Sequence, residues 1–146
     1  MCHALFLGSS RPMPLVSYRD TVWFGVEELA ERHEAIRLHF PVGWQVYFLN
    51  SHEGCGCGFH SDAQFPDDNA GYDQESRRCL AAYVELALQA PGLELALYDC
   101  WEGAEAAPIQ ARAEASPAEL EASLDPVPEG TLVTLRPDVS RRRPSD

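Results

Sequence analysis

The sequence of 146 residues contains no lysine, and all eleven of its basic residues are arginine. Because acidic residues outnumber these arginines, the formal net charge at pH 7 is −12. Three of the arginines lie within the last six residues, so the rest of the chain is more acidic still. A body with this charge repels the phosphate backbone of DNA or RNA. We therefore expect no nucleic-acid partner.

Long hydrophobic runs are also absent. No segment approaches the roughly 18 consecutive apolar residues of a membrane helix, and the first residues lack the basic region and apolar core of a secretory signal. The five cysteines are an odd number and are sparse for this length, which favours free or metal-bound thiols in a reducing compartment. The sequence therefore predicts a cytoplasmic protein with no membrane partner.

Three common enzyme motifs are missing as well. The chain has no phosphate-binding glycine loop, no dinucleotide-binding fingerprint and no Gly-x-Ser-x-Gly turn. Their absence disfavours nucleotide-dependent enzymes and ordinary serine hydrolases. Whether the protein is an enzyme of another kind stays open at this point.

The length and the near-average apolar content predict one globular domain at residues 1–140. A flexible, arginine-rich tail follows at residues 141–146. We interpret this tail as a solvated chain end, and the alternative is an anchor for an acidic protein partner. Nothing in the sequence specifies an oligomeric state.

Hydrophobic periodicity predicts an α/β or α+β fold, in which two main helices and one short C-terminal helix pack on a mixed β-sheet. The predicted strands are residues 3–8, 22–26, 44–50, 93–100 and 131–135, with one further strand left open before the short helix. The predicted helices are residues 27–40, 73–90 and 117–123. Residues 60–72 have little periodicity and are predicted to form a long loop.

The candidate functional segment is residues 51–60, SHEGCGCGFH. In an extended chain, residues two apart face the same way, so Cys55 and Cys57 can present both sulfur atoms on one side. The glycines around them permit backbone angles that other residues avoid, which helps the two sulfur atoms to converge.

Thiolate and imidazole groups are the ligands that zinc prefers in proteins. We therefore predict a metal site, with zinc as the default ion, built on Cys55 and Cys57. Its remaining ligands are predicted from four residues: His52 and His60, which flank the pair, and Cys2 and Cys100, which lie at the ends of two predicted strands. Cys79 is instead predicted to pack in the core.

Two other interpretations remain open. The first is a redox or nucleophilic thiol enzyme, in which Cys55 or Cys57 reacts and its neighbour resolves the product. The start of the chain is also similar to that of enzymes with N-terminal nucleophiles, which implies a reactive Cys2. The second interpretation is an acidic interaction module with no chemistry, in which the glycine-rich segment is only a turn.

Overall fold

The computed structural model describes residues 2–18, 21–61 and 70–138. Most of the predicted loop at residues 60–72, and all of the predicted tail at residues 141–146, lie outside the described residues. No helix within the described ranges is both long enough and apolar enough to cross a membrane.

The described residues form one six-stranded mixed sheet with the strand order β2-β3-β1-β4-β6-β5. Neighbouring strands are antiparallel except β5 and β6, which are parallel. The strands are β1 (His3–Ser9), β2 (Phe24–Glu28), β3 (Gln45–Ser51), β4 (Leu95–Trp101), β5 (Ala111–Ala115) and β6 (Thr131–Leu135).

Two α-helices and two 3₁₀ helices accompany the sheet in the described ranges: α1 (Ala70–Ala87), α2 (Pro117–Ala122), a long 3₁₀ helix (Glu31–His39) and a short 3₁₀ helix (Gly56–Phe59). The prediction of helices packed on a mixed sheet is confirmed, and the fold belongs to the α+β class. The predicted capping box of the short C-terminal helix is also present, because Ser116 and Glu119 exchange both of its hydrogen bonds.

Side chains cover both faces of the central strands. On one face, which we call the helix face, α1 and α2 bury Leu80 and Leu120 against β1, β3, β4 and β6. On the opposite face, the long 3₁₀ helix buries Ile36 against Phe6 and neighbouring side chains. Strands covered on both sides lose the polar alternation of a surface strand. This explains why residues 4–7 of β1 are all fully buried.

The predicted helix at residues 27–40 differs from the structure. Glu27 and Glu28 extend β2, where they pair with Phe48 and Tyr47 of β3. Asn50 also donates a hydrogen bond from Nδ2 to Glu27 Oε1, at 2.7 Å. Sheet pairing thus overrides the local preference of two acidic residues for the first turn of a helix. The chain beyond Ala30 forms a 3₁₀ helix, which brings the buried residues His33 and Ile36, three apart, onto one side.

Candidate metal centre

The cysteine segment begins where β3 ends, and Ser51 holds it in place. The buried Ser51 hydroxyl donates to the Cys55 carbonyl at 2.6 Å and accepts from the Gly58 N–H at 3.0 Å. The Ser51 N–H also donates to the Cys55 carbonyl, at 2.9 Å. One serine therefore closes the segment into a compact loop.

Two of the glycines are required because the loop packs closely on its surroundings. A Cβ atom at Gly56 would lie 2.9 Å from the backbone nitrogen of Leu5, within β1. A Cβ atom at Gly58 would lie 2.3 Å from Ser51 Oγ and 2.7 Å from the ring of His52. A side chain at Gly56 would push the loop away from the start of β1, and one at Gly58 would push it away from the end of β3. The glycines therefore allow the loop cysteines to approach the residue that precedes β1.

That residue is Cys2, and the loop brings two more cysteines to it. The sulfur atoms of Cys2, Cys55 and Cys57 lie within 4.8 Å of one another, and all three are free thiols. Two thiolates bound to one tetrahedral zinc ion are about 3.8 Å apart, given Zn–S bonds of about 2.3 Å. The three residues, which we call the cysteine cluster, are therefore close enough to hold a metal ion.

The surroundings of the cysteine cluster favour neutral thiols. Burial raises the pKa of Cys55 to about 12. Burial also raises the pKa of Cys57, although the His3 N–H opposes this by donating to Cys57 Sγ at 3.2 Å. A bound cation reverses this preference, because a metal ion deprotonates the thiols that ligate it.

The structure places His52 and Cys100 away from the cysteine cluster. His52 Nε2 lies 2.7 Å from Asp73 Oδ1, so its ring faces the start of α1. Cys100, which was predicted as a ligand, lies in β4 and packs in the core of the opposite face. Cys79 is partly buried and packs against the core of the helix face, as predicted.

His60 belongs to a second group of ligand-type side chains. Its Nε2 lies 3.4 Å from Asp99 Oδ2, and His3 Nδ1 lies 2.8 Å from the same oxygen. The ligand atoms of these three residues also lie within 4.8 Å of one another, and we call them the His–Asp cluster. No sequence pattern predicted a role in a site for His3 or Asp99. The available signal was the charge of Asp99 within an otherwise apolar strand, LALYDCW.

Burial and neighbouring charges shift the pKa values of Asp99 and His60 in the His–Asp cluster. Asp99 is fully buried, and burial raises the pKa of its carboxyl group despite the two histidines, which act to lower it. Burial alone would lower the pKa of His60, but its contacts with Asp99 and Asp125 outweigh this effect and raise that pKa. The cluster therefore favours a shared proton or a cation between its rings and its carboxylate.

No protein-family model matches the chain, and neither the curated proteins nor the solved structures searched contain a match.

Proposed function

We propose that the protein binds one zinc ion through the thiolates of Cys2, Cys55 and Cys57. The observation that carries this proposal is the convergence of three free sulfur atoms within 4.8 Å. The loop that supplies two of them is fastened by a buried serine and depends on glycines at two tightly packed positions. Of the six ligands predicted from the sequence, the proposal retains these three.

The choice of zinc rests on the donor atoms. Thiolates are soft ligands that select zinc or copper(I) over magnesium or calcium, and zinc is the commonest ion in cysteine sites. The strongly acidic chain also favours the approach of cations in general. A thiolate site needs reduced cysteines, so the predicted cytoplasmic location is part of the proposal.

Three protein ligands leave the fourth position of a tetrahedral ion for water or a small molecule. Cys2 is exposed, so solvent can reach this side of the cluster. Zinc sites with three protein ligands and one open position are typical of catalytic rather than purely structural zinc. We therefore infer that the ion is held with a water ligand and not in a closed four-residue site.

One observation weakens the interpretation of the protein as a thiol enzyme. A cysteine nucleophile needs a lowered pKa, so that thiolate is present at neutral pH. Burial has the reverse effect here, because it raises the pKa of Cys55 to about 12 and that of Cys57 above its usual value. These buried thiols are suited to a metal ion, which displaces their protons, and poorly suited to unassisted attack.

Elemental analysis of protein purified under reducing conditions and without a histidine tag tests the proposal. We expect at least one equivalent of zinc per chain after zinc supplementation and removal of excess ion. Cys2→Ser, Cys55→Ser and Cys57→Ser should each lose about one equivalent of this zinc. Cys79→Ser is the matched control and should retain it, because Cys79 lies in α1 outside the cluster. Equal zinc in wild type and Cys57→Ser would contradict the ligand assignment.

A further inference from the structure

The His–Asp cluster lies beside the cysteine cluster but differs from it in chemistry. We propose that His3, His60 and Asp99 form a second metal site, for a divalent transition-metal ion that prefers nitrogen and oxygen ligands. The two sites meet at the start of β1, where Cys2 belongs to one cluster and His3 to the other. The second site does not require the first to be loaded.

Strand register brings the three ligands together. His3 of β1 is paired with Trp101 of β4, and the two rings stack with centroids 4.0 Å apart. Asp99 precedes Trp101 by two residues and therefore projects from the same face of the sheet. His60 follows the short 3₁₀ helix, whose Phe59 is buried in the core of that face. Three separate segments thus contribute one ligand each.

The distances fit a small ion after a modest rearrangement. Asp99 Oδ2 already contacts both rings, at 2.8 Å from His3 Nδ1 and 3.4 Å from His60 Nε2. Ligands bound to zinc at about 2.0–2.1 Å in tetrahedral geometry are separated by roughly 3.4 Å. The three ligand atoms lie within 4.8 Å of one another, so the longest separation among them needs a contraction of at most about 1.4 Å.

The other nitrogen of His60 is held as metal-bound histidines usually are. His60 Nδ1 lies 2.7 Å from Asp125 Oδ1. A ligating histidine almost always donates its second ring N–H to a carboxylate, a carbonyl or water, and this bond fixes the tautomer that leaves the first nitrogen free to ligate. Asp125 therefore orients Nε2 of His60 toward Asp99.

Within the described ranges, two buried polar atoms of the His–Asp cluster have no hydrogen-bond partner: His60 Nε2 and Asp99 Oδ1. Unpaired buried polar atoms are rare in native proteins, and an ion is one of the few explanations for them. The Asp99 side chain is fully buried, which makes an unsatisfied oxygen costly there. Two imidazoles and one carboxylate form the ligand set of sites for iron(II) and related ions.

Cobalt(II) titration of the full metal-free chain, under reducing and anaerobic conditions, tests this inference. Cobalt bound to thiolates gives a sulfur-to-metal charge-transfer absorption in the near ultraviolet, whereas cobalt bound to imidazole and carboxylate does not. We expect two equivalents of bound cobalt, of which one produces the charge-transfer band. A wild-type chain that binds one equivalent only, with the band, would show that the His–Asp cluster is a salt bridge and overturn the inference.

Variants distinguish the two sites. His60→Ala and Asp99→Asn should each reduce binding from two equivalents to one and leave the charge-transfer band unchanged. Cys57→Ser should abolish the band and retain the other equivalent. A wild-type chain that binds one equivalent without the band would overturn the zinc proposal and not this one. Asp125→Asn should weaken the second equivalent by about 10- to 100-fold.

His39→Ala is the matched control, because His39 bonds to the Glu105 carbonyl outside both clusters and its replacement should leave both equivalents. Circular dichroism of each variant checks folding. A folded Asp99→Asn variant that still binds two equivalents would also refute the assignment.

Discussion

Replacement of Gly56 by alanine should disturb the cysteine cluster without removing a ligand. Gly56 is not among the glycines with positive φ, so alanine is compatible with its backbone angles. The added Cβ atom would nevertheless lie 2.9 Å from Leu5 N and 3.0 Å from His3 O. Both atoms belong to β1, which is one of the two middle strands of the sheet and is paired on both sides, so it cannot move without disturbing the core. The loop must therefore move away from β1 and carry Cys55 and Cys57 away from Cys2.

The expected size of this effect follows from overpacking. Extra methyl groups in tightly packed regions typically cost about 1–3 kcal/mol. If docking of the loop is coupled to zinc binding, this cost reduces the zinc affinity by a factor of about 5 to 150. Urea unfolding of the metal-free protein measures the loss in the free energy of unfolding, and competition with a chromophoric zinc chelator measures the loss in zinc affinity.

Gly71→Ala is the control for Gly56→Ala. A Cβ atom at Gly71 would meet nothing within 4 Å, and the residue lies in α1. Alanine is preferred to glycine in helices by up to about 1 kcal/mol, so this variant should be neutral or slightly more stable. Equal stability and equal zinc affinity of wild type and Gly56→Ala would refute the view that loop packing on β1 assembles the cluster.

Two further predictions concern ionisation. In metal-free protein at pH 7, iodoacetamide should label Cys55 at least about tenfold more slowly than the exposed Cys2, because burial raises the pKa of Cys55 to about 12; peptide mapping that finds Cys55 labelled first would favour the thiol enzyme. Burial, aided by Arg32 and opposed by Glu105, lowers the pKa of His33 below 6.5. As the pH falls, His33 is therefore protonated in the unfolded chain before it is protonated in the folded protein. This difference lowers the free energy of unfolding as the pH falls below 6.5, by at most about 1.4 kcal/mol per pH unit. Urea unfolding at pH 5 and pH 7 should show a smaller difference for His33→Gln than for wild type, and an unchanged difference would contradict this assignment.

Most strands could be predicted from the sequence because their signals are local. Apolar runs bounded by glycine and proline place β1, β3, β4 and β6 within two residues of their observed ends. The capping box of α2 is likewise a local signal, and the structure contains it. The predicted start of the helix at residues 27–40 was wrong because pairing with β3 extends β2 through Glu28. The residues of β3 that make this contact lie about 20 positions further along the chain.

The cysteine cluster and the His–Asp cluster also differ in whether their signal is local in the sequence. Cys55 and Cys57 could be singled out because two thiols, three glycines and two histidines lie within ten residues, and this density is visible without a fold. The His–Asp cluster depends on the pairing of β1 with β4, whose residues are almost 100 positions apart. Strand order and register decide which side chains are neighbours on one face of the sheet. Because His3 is paired with Trp101, and because residues two apart on a strand face the same way, Asp99 lies on the same face of the sheet as His3. Only this pairing makes the single charge in the apolar strand β4 part of a candidate site.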